Sequence, residues 1–168
     1  MKAWSHRQWI LSTISSEDFY TRELDFIHKL LLVDVRNNSA WNQRWFATHK
    51  GCPTIPLSKE DALEEAGYAW SCIVLDVWNE SPWRYFLGVG KEQCLKTSNK
   101  GSWEWGEWEQ KLELLAEEEE KPCHILMGVQ VDILEIMGDN DSRTKVSPKV
   151  KFLPIPSRKV NFFTICSI

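Results

Sequence analysis

The residues best equipped to do chemistry in this chain are its histidines, its cysteines and one dense polar and aromatic stretch. His6, His28, His49 and His124 lie far apart, and Cys52, Cys72, Cys94, Cys123 and Cys166 are scattered singly with no CxxC. Tetrahedral zinc sites draw their ligands from closely spaced pairs of such residues, so no metal site is expected. No GxGxxG or P-loop glycine pattern is present to cradle a phosphate. Cys166 stands third from the end, whereas a prenylation box needs a cysteine fourth from the end. The dense stretch is DVRNNSAWNQRWF, residues 34–46. It sets Asp34, Arg36, Asn37, Asn38 and Ser39 before Trp41, Trp45 and Phe46, with Asn42, Gln43 and Arg44 between them. Three kinds of work suit those side chains: catalysis, stacking of nucleic-acid bases, or a structural joint. Catalysis is disfavoured because the stretch has no nucleophile–base pair and no carboxylate dyad.

Charge decides against base stacking. The chain has 20 Lys plus Arg against 24 Asp plus Glu, and the imbalance is uneven. Beyond Asp141 there are six basic residues (Arg143, Lys145, Lys149, Lys151, Arg158 and Lys159) and no acid, so residues 1–142 hold 14 bases against 24 acids, a net −10. An acidic body repels phosphate, and no nucleic-acid partner is expected. No apolar run approaches the roughly 20 residues of a membrane span, and MKAWSHRQW is not a secretory signal. The lone cysteines read as free thiols, two of them inside apolar helical patterns where a thiol packs as a small hydrophobe. Length and composition predict one domain with a sizeable core, in a reduced, cytoplasmic setting.

The polar stretch recurs. LLLVDVRNNSAW (30–41) aligns with CIVLDVWNESPW (72–83) at a constant separation of 42 residues: Asp34 with Asp76, Asn37 with Asn79, Ser39 with Ser81, Trp41 with Trp83. A weaker echo, AWSHRQW (3–9), precedes Ala40–Trp45 by 37 residues. Periods of about 35–45 residues mark stacked repeat arrays. Ahead of each signature lies an amphipathic stripe, Leu24, Ile27, Leu31 and Val35 in one and Ala62, Ala66, Trp70, Ile73 and Val77 in the other. Each predicts a helix ending near its Asp. Asn37 and Asn79 suit the turn, Ser39 and Ser81 the N-cap of the next helix, and Pro82 its first turn. Trp105, Trp108, Leu112 and Leu115 make another helical stripe, as do Leu126, Val129, Ile133 and Ile136. HKGCPTIPLSKED and KTSNKGS read as loops. Residues 139–168 carry Pro148, Pro154 and Pro156 and no helical stripe. The stretch at 34–46 is therefore a helix–turn–helix joint.

AWSHRQW, DVRNNSAWNQRWF and LDVWNESPWRYFLG resemble the alpha-subunit repeats of protein farnesyltransferase and geranylgeranyltransferase type I, over residues 3–95 and more loosely through 122–138. The resemblance implies an all-α, right-handed superhelix of TPR-like helical hairpins over 1–138, followed by an irregular basic tail at 139–168. It implies a beta-subunit partner that carries zinc and most of the isoprenoid pocket, with zinc and magnesium in the complete heterodimer and no cofactor bound by this chain. Reaction of a prenyl diphosphate with CaaX protein substrates would follow through that heterodimer. The repeat signature and subunit interface then comprise Trp4, His6, Arg7, Asn37, Trp41, Asn42, Arg44, Asn79 and Trp83. Arg7 and Arg44, three residues after a Trp, are expected near the beta-contacting face.

No catalytic residue is carried over. The family reads K-N-Y-H-A-W where this chain begins; its Tyr and His would fall at Met1 and Lys2, and its diphosphate-contacting lysine upstream of Met1. The resemblance therefore implies the C-terminal part of an alpha subunit, inactive on its own. Two alternatives share the helical repeat: a Rab-type geranylgeranyltransferase alpha subunit, and a non-enzymatic helical-repeat adaptor.

Overall fold

The computed structural model describes residues 2–14, 17–51, 57–97, 103, 105–118 and 123–137. Among them are seven helices and no strand: α1 Lys2–Ile14, α2 Glu17–Val33, α3 Asn38–Gly51, α4 Lys59–Leu75, α5 Glu80–Thr97, α6 Trp105–Glu118 and α7 His124–Met137. The expected tail at 139–168 lies outside the described residues. Helices α2–α3, α4–α5 and α6–α7 form hairpins, and α1 takes the place of a second helix. Second helices touch in sequence, α1 on α3, α3 on α5 and α5 on α7. The all-α, hairpin-repeat expectation holds.

Local chemistry explains the helix bounds. Ser58 opens α4: its Oγ accepts the Asp61 N–H at 3.0 Å and donates to Asp61 Oδ2 at 2.7 Å. The face α4 turns to α5 is small, with Ala62, Ala66, Ala69 and Ile73 all fully buried, which lets the two axes approach closely. Between α5 and α6 the layer is aromatic. Phe86 packs edge-on to Trp108 at 4.9 Å and to Trp105 at 6.2 Å, and Trp70 lies 5.6 Å from Trp108. Trp105 fits only because Gly90 has no side chain; a Cβ there would meet its Cη2 at 2.3 Å. Among the described residues, Cys72, Cys94 and Cys123 form no disulfide.

Two sequence readings need correction. Helix α3 runs through Gly51, α4 starts at Lys59 and α5 runs through Thr97, so His49–Gly51, Lys59–Asp61 and Lys96–Thr97 are helical rather than loop. His49 is held there from both sides: Nδ1 lies 2.7 Å from the Trp45 carbonyl and Nε2 2.6 Å from Glu92. The N-caps are also Asn37 and Asn79, not Ser39 and Ser81. Asn37 Oδ1 accepts the Ala40 N–H at 3.2 Å while its own carbonyl takes the Ala40 and Trp41 amides at 3.0 and 3.2 Å. Asn79 Oδ1 accepts the Ser81 N–H at 3.1 Å. An amide side chain can accept with its oxygen and donate with its nitrogen, and Asn79 uses both atoms.

Candidate functional site

The two D-V-x-N-x-S-x-W joints lie side by side. Trp41 Nε1 donates to the Val35 carbonyl at 2.9 Å, and Trp83 Nε1 donates to the Val77 carbonyl at the same distance. Trp41 and Trp83 thus hold equivalent places, and both are buried. The same carbonyls receive a side chain from the following hairpin: Asn79 Nδ2 reaches Val35 O at 2.8 Å, and Cys123 Sγ approaches Val77 O at 3.5 Å. On the outer edge Arg36 Nε meets Asp76 Oδ2 at 2.6 Å, and Ser81 Oγ donates to Asn38 Oδ1 at 3.3 Å. The Arg36 hydrogen bond, aided by its charge, holds the Asp76 carboxyl below the ordinary aspartate range despite partial burial.

Beneath the joints are two buried carboxylates. Glu65 takes both Nε and Nη2 of Arg44 at 2.7 Å, and the Tyr85 hydroxyl at 2.6 Å. The Arg44 guanidinium also lies over the Tyr68 ring, 3.5 Å from its centroid. Burial alone would weaken the Arg44 charge, but the hydrogen bond and charge of Glu65 outweigh it and raise its pKa. Burial, reinforced by the Glu65 charge, pushes the Tyr85 phenol well above its usual range, so it remains a donor. One hairpin earlier the arrangement repeats. Arg7 Nε contacts both oxygens of Glu23 at 2.6 and 2.7 Å and lies over Phe26 at 4.2 Å; Gln43 Nε2 donates to Glu23 at 2.9 Å.

These nodes relocate several residues singled out above. Arg44 is engaged inside the helix layer with its fork filled, so it does not offer a free guanidinium to a partner. Arg7 is half-buried and likewise paired. Trp4 is half-buried, whereas His6 is exposed and stacks on Trp9, with ring centroids 5.9 Å apart. Asn42 is exposed. The remaining histidines stay apart: His28 bonds Tyr68 at 2.9 Å, and His124 sits beside Trp78 at 5.7 Å. Among the described residues no group of three or more His, Cys, Asp or Glu could hold a metal ion. No described helix is long and apolar enough to cross a membrane. Sequence reasoning passed over Glu23, Glu65, Phe26 and Tyr68, although Glu23/Glu65 and Phe26/Tyr68 obey the same 42-residue separation as the joints.

Hairpins closed by a Trp-to-carbonyl bond and stacked through Arg–Glu pairs define the class: an all-α array of helical-hairpin repeats. Residues 20–50, which run from α2 through the first joint into α3, match the protein prenyltransferase alpha subunit repeat. The chain is similar to the protein farnesyltransferase/geranylgeranyltransferase type-1 subunit alpha of Arabidopsis thaliana, 38% identical over 81 residues, covering 48% of this chain and 23% of the relative. The protein of the same name from Dictyostelium discoideum is 41% identical over 76 residues, 45% of this chain and 23% of the relative. The human geranylgeranyl transferase type-2 subunit alpha is 35% identical over 83 residues, 49% of this chain and 13% of the relative. The matched region thus spans less than a quarter of the length of these relatives.

Proposed function

We propose that this chain acts as the alpha-subunit component, or a part of it, of a heterodimeric CaaX protein prenyltransferase. That enzyme transfers a farnesyl or geranylgeranyl group from its diphosphate to a C-terminal cysteine of protein substrates in the cytoplasm. The observation that carries the reading is the D-V-x-N-x-S-x-W joint, built twice with the same indole-to-carbonyl bond, in a region similar to type-1 alpha subunits. In this reading zinc, magnesium and the reacting thiolate belong with the beta subunit. The described residues offer no metal-holding cluster.

What this chain supplies is a rigid surface. With Arg7 and Arg44 committed to Glu23 and Glu65, we assign partner contact to the exposed apolar side chains at the joint ends of the first helices. Leu32 and Val33 end α2, Val74 and Leu75 end α4, and all four are exposed, as is Trp78. Contiguous exposed apolar groups mark interaction surfaces, and in this reading these side chains form one. The similarity to a type-2 alpha subunit supports a second reading, a Rab-type geranylgeranyltransferase.

Co-expression with a type-1 beta subunit, followed by capture and a transfer assay with zinc, tests the proposal. The chain alone should show no transfer. The pair should form, with at most trace transfer to a CaaX peptide, and Leu75→Glu should prevent capture while leaving the helical spectrum unchanged. Failure to capture the type-1 beta chain, or turnover by the chain alone, would refute the reading; capture of a type-2 beta chain with transfer to a Rab substrate would establish the alternative.

A further inference from the structure

We infer that Glu23 and Glu65 are register-selecting junctions, each accepting only one kind of helix stacked before it, so that the order and vertical register of the hairpins are encoded in buried charge. Arg7, Arg44 and Phe86 hold the same place on α1, α3 and α5, each three residues after a Trp. Opposite them, on the next first helix, stands a pair of residues three apart. Arg7 faces Glu23 and Phe26, and Arg44 faces Glu65 and Tyr68. Phe86 faces Trp105 and Trp108 instead. Each glutamate also takes a donor from its own second helix, Gln43 for Glu23 and Tyr85 for Glu65. A single carboxylate therefore joins three helices: α1, α2 and α3 at one junction, α3, α4 and α5 at the next.

The physical consequence is selectivity. A slide of α4 by one helical turn, about 5.4 Å, would strand a carboxylate, a guanidinium and a phenol. The Arg44 and Glu65 side chains are only 8% and 11% exposed, so water could not compensate them. The same slide at the α5–α6 contact strands no charge; there the register is held by shape, with Trp105 over Gly90. Exchanging hairpins would set an arginine against two indoles, or a phenylalanine against a glutamate. Buried ion pairs add little net stability over apolar residues of like size, so selection of one register is the role that remains for this node.

Two variants of the full chain test this. Arg44→Met/Glu65→Leu/Tyr85→Phe replaces the node by apolar groups of similar volume. Arg44→Glu/Glu65→Arg reverses the pair. The readouts are the amide resonances of α3–α5 and the Trp41 indole N–H resonance. The apolar variant should fold yet show a second set of resonances, populated at about 1–10%, as expected for a competing register, and faster amide exchange in α4. The reversed variant should return to a single set. A folded apolar variant with one set of resonances and unchanged exchange overturns the inference. If the apolar variant does not fold, the reversed variant decides: one native-like set supports selection by charge, and multiple sets or unfolding refute it.

Discussion

Three helical glycines allow one chemical change to be tried in three environments. Gly67 has nothing within 4 Å of where a Cβ would stand. Gly88 would place it 3.0 Å from Trp45 Cζ3, and Gly90 2.3 and 2.6 Å from Trp105 Cη2 and Cζ2. Alanine gains about 0.8–1 kcal/mol over glycine in a helix interior, so Gly67→Ala should stabilise the protein by that amount. At Gly90 the same gain is set against overpacking, which typically costs about 1–3 kcal/mol. The indole is locked among Phe86, Trp103 and the Cys94 thiol, so it cannot swing away, and the cost belongs at the upper end. The net effect should be a loss of about 1–2 kcal/mol. Gly88→Ala should fall between, because a 3.0 Å contact asks the Trp45 ring to shift only slightly. For a chain of this size 1 kcal/mol moves Tm by about 2–4 °C, so Gly67→Ala and Gly90→Ala should separate by roughly 5–10 °C. Urea melts at constant m, read by tryptophan fluorescence, give the ranking. A Gly90→Ala midpoint equal to or above that of Gly67→Ala would show that Gly90 is not the socket for Trp105.

Asn79→Ala removes both a helix cap and the bond to Val35 O, and should cost about 1–3 kcal/mol in the same assay, from the loss of a cap and of a buried hydrogen bond; Asn79→Asp should recover only the cap share. Asp132 is the pH test. Burial, with Glu135 adding and Lys91 opposing, raises its pKa, so the folded state holds this proton more tightly than the unfolded chain does. Its favourable contribution is full below the unfolded aspartate value and is lost as pH rises through the folded one. Asp132→Asn should therefore stabilise the protein at neutral pH, with the advantage fading toward acid pH; an advantage that grew on acidification would contradict the assignment.

The joints are legible in the sequence because their chemistry is local: the indole of Trp41 bonds a carbonyl six residues back, and Trp83 does the same. The helices are legible because their apolar stripes keep helical spacing through Ile73 and Ile133. The nodes are harder to read. Glu65 meets Arg44 21 residues upstream and Tyr85 20 residues downstream, on two other helices, and no periodicity of one helix announces such a meeting. Charged residues are rarely fully buried unless paired, so Arg44 next to a tryptophan reads as a surface fork until Glu65 is placed. The cap at Asn79 in place of Ser81 escaped for a similar reason. What favours Asn79 is the second bond to Val35, which belongs to a different hairpin.

That shared oxygen carries a consequence for how the array melts. A carbonyl has two lone pairs; at Val35 one receives the indole that closes its own hairpin, and the other the amide of the neighbour. Repeat arrays are commonly treated as a one-dimensional Ising chain, with an intrinsic free energy for each unit and a separate coupling between neighbours. Here the two quantities meet on one atom and cannot be assigned independently. The α2–α3 and α4–α5 hairpins should then behave as a single cooperative block. Fraying that enters from either end would have to open both together, and a fragment cut between Gly51 and Lys59 would separate two halves of one folding unit.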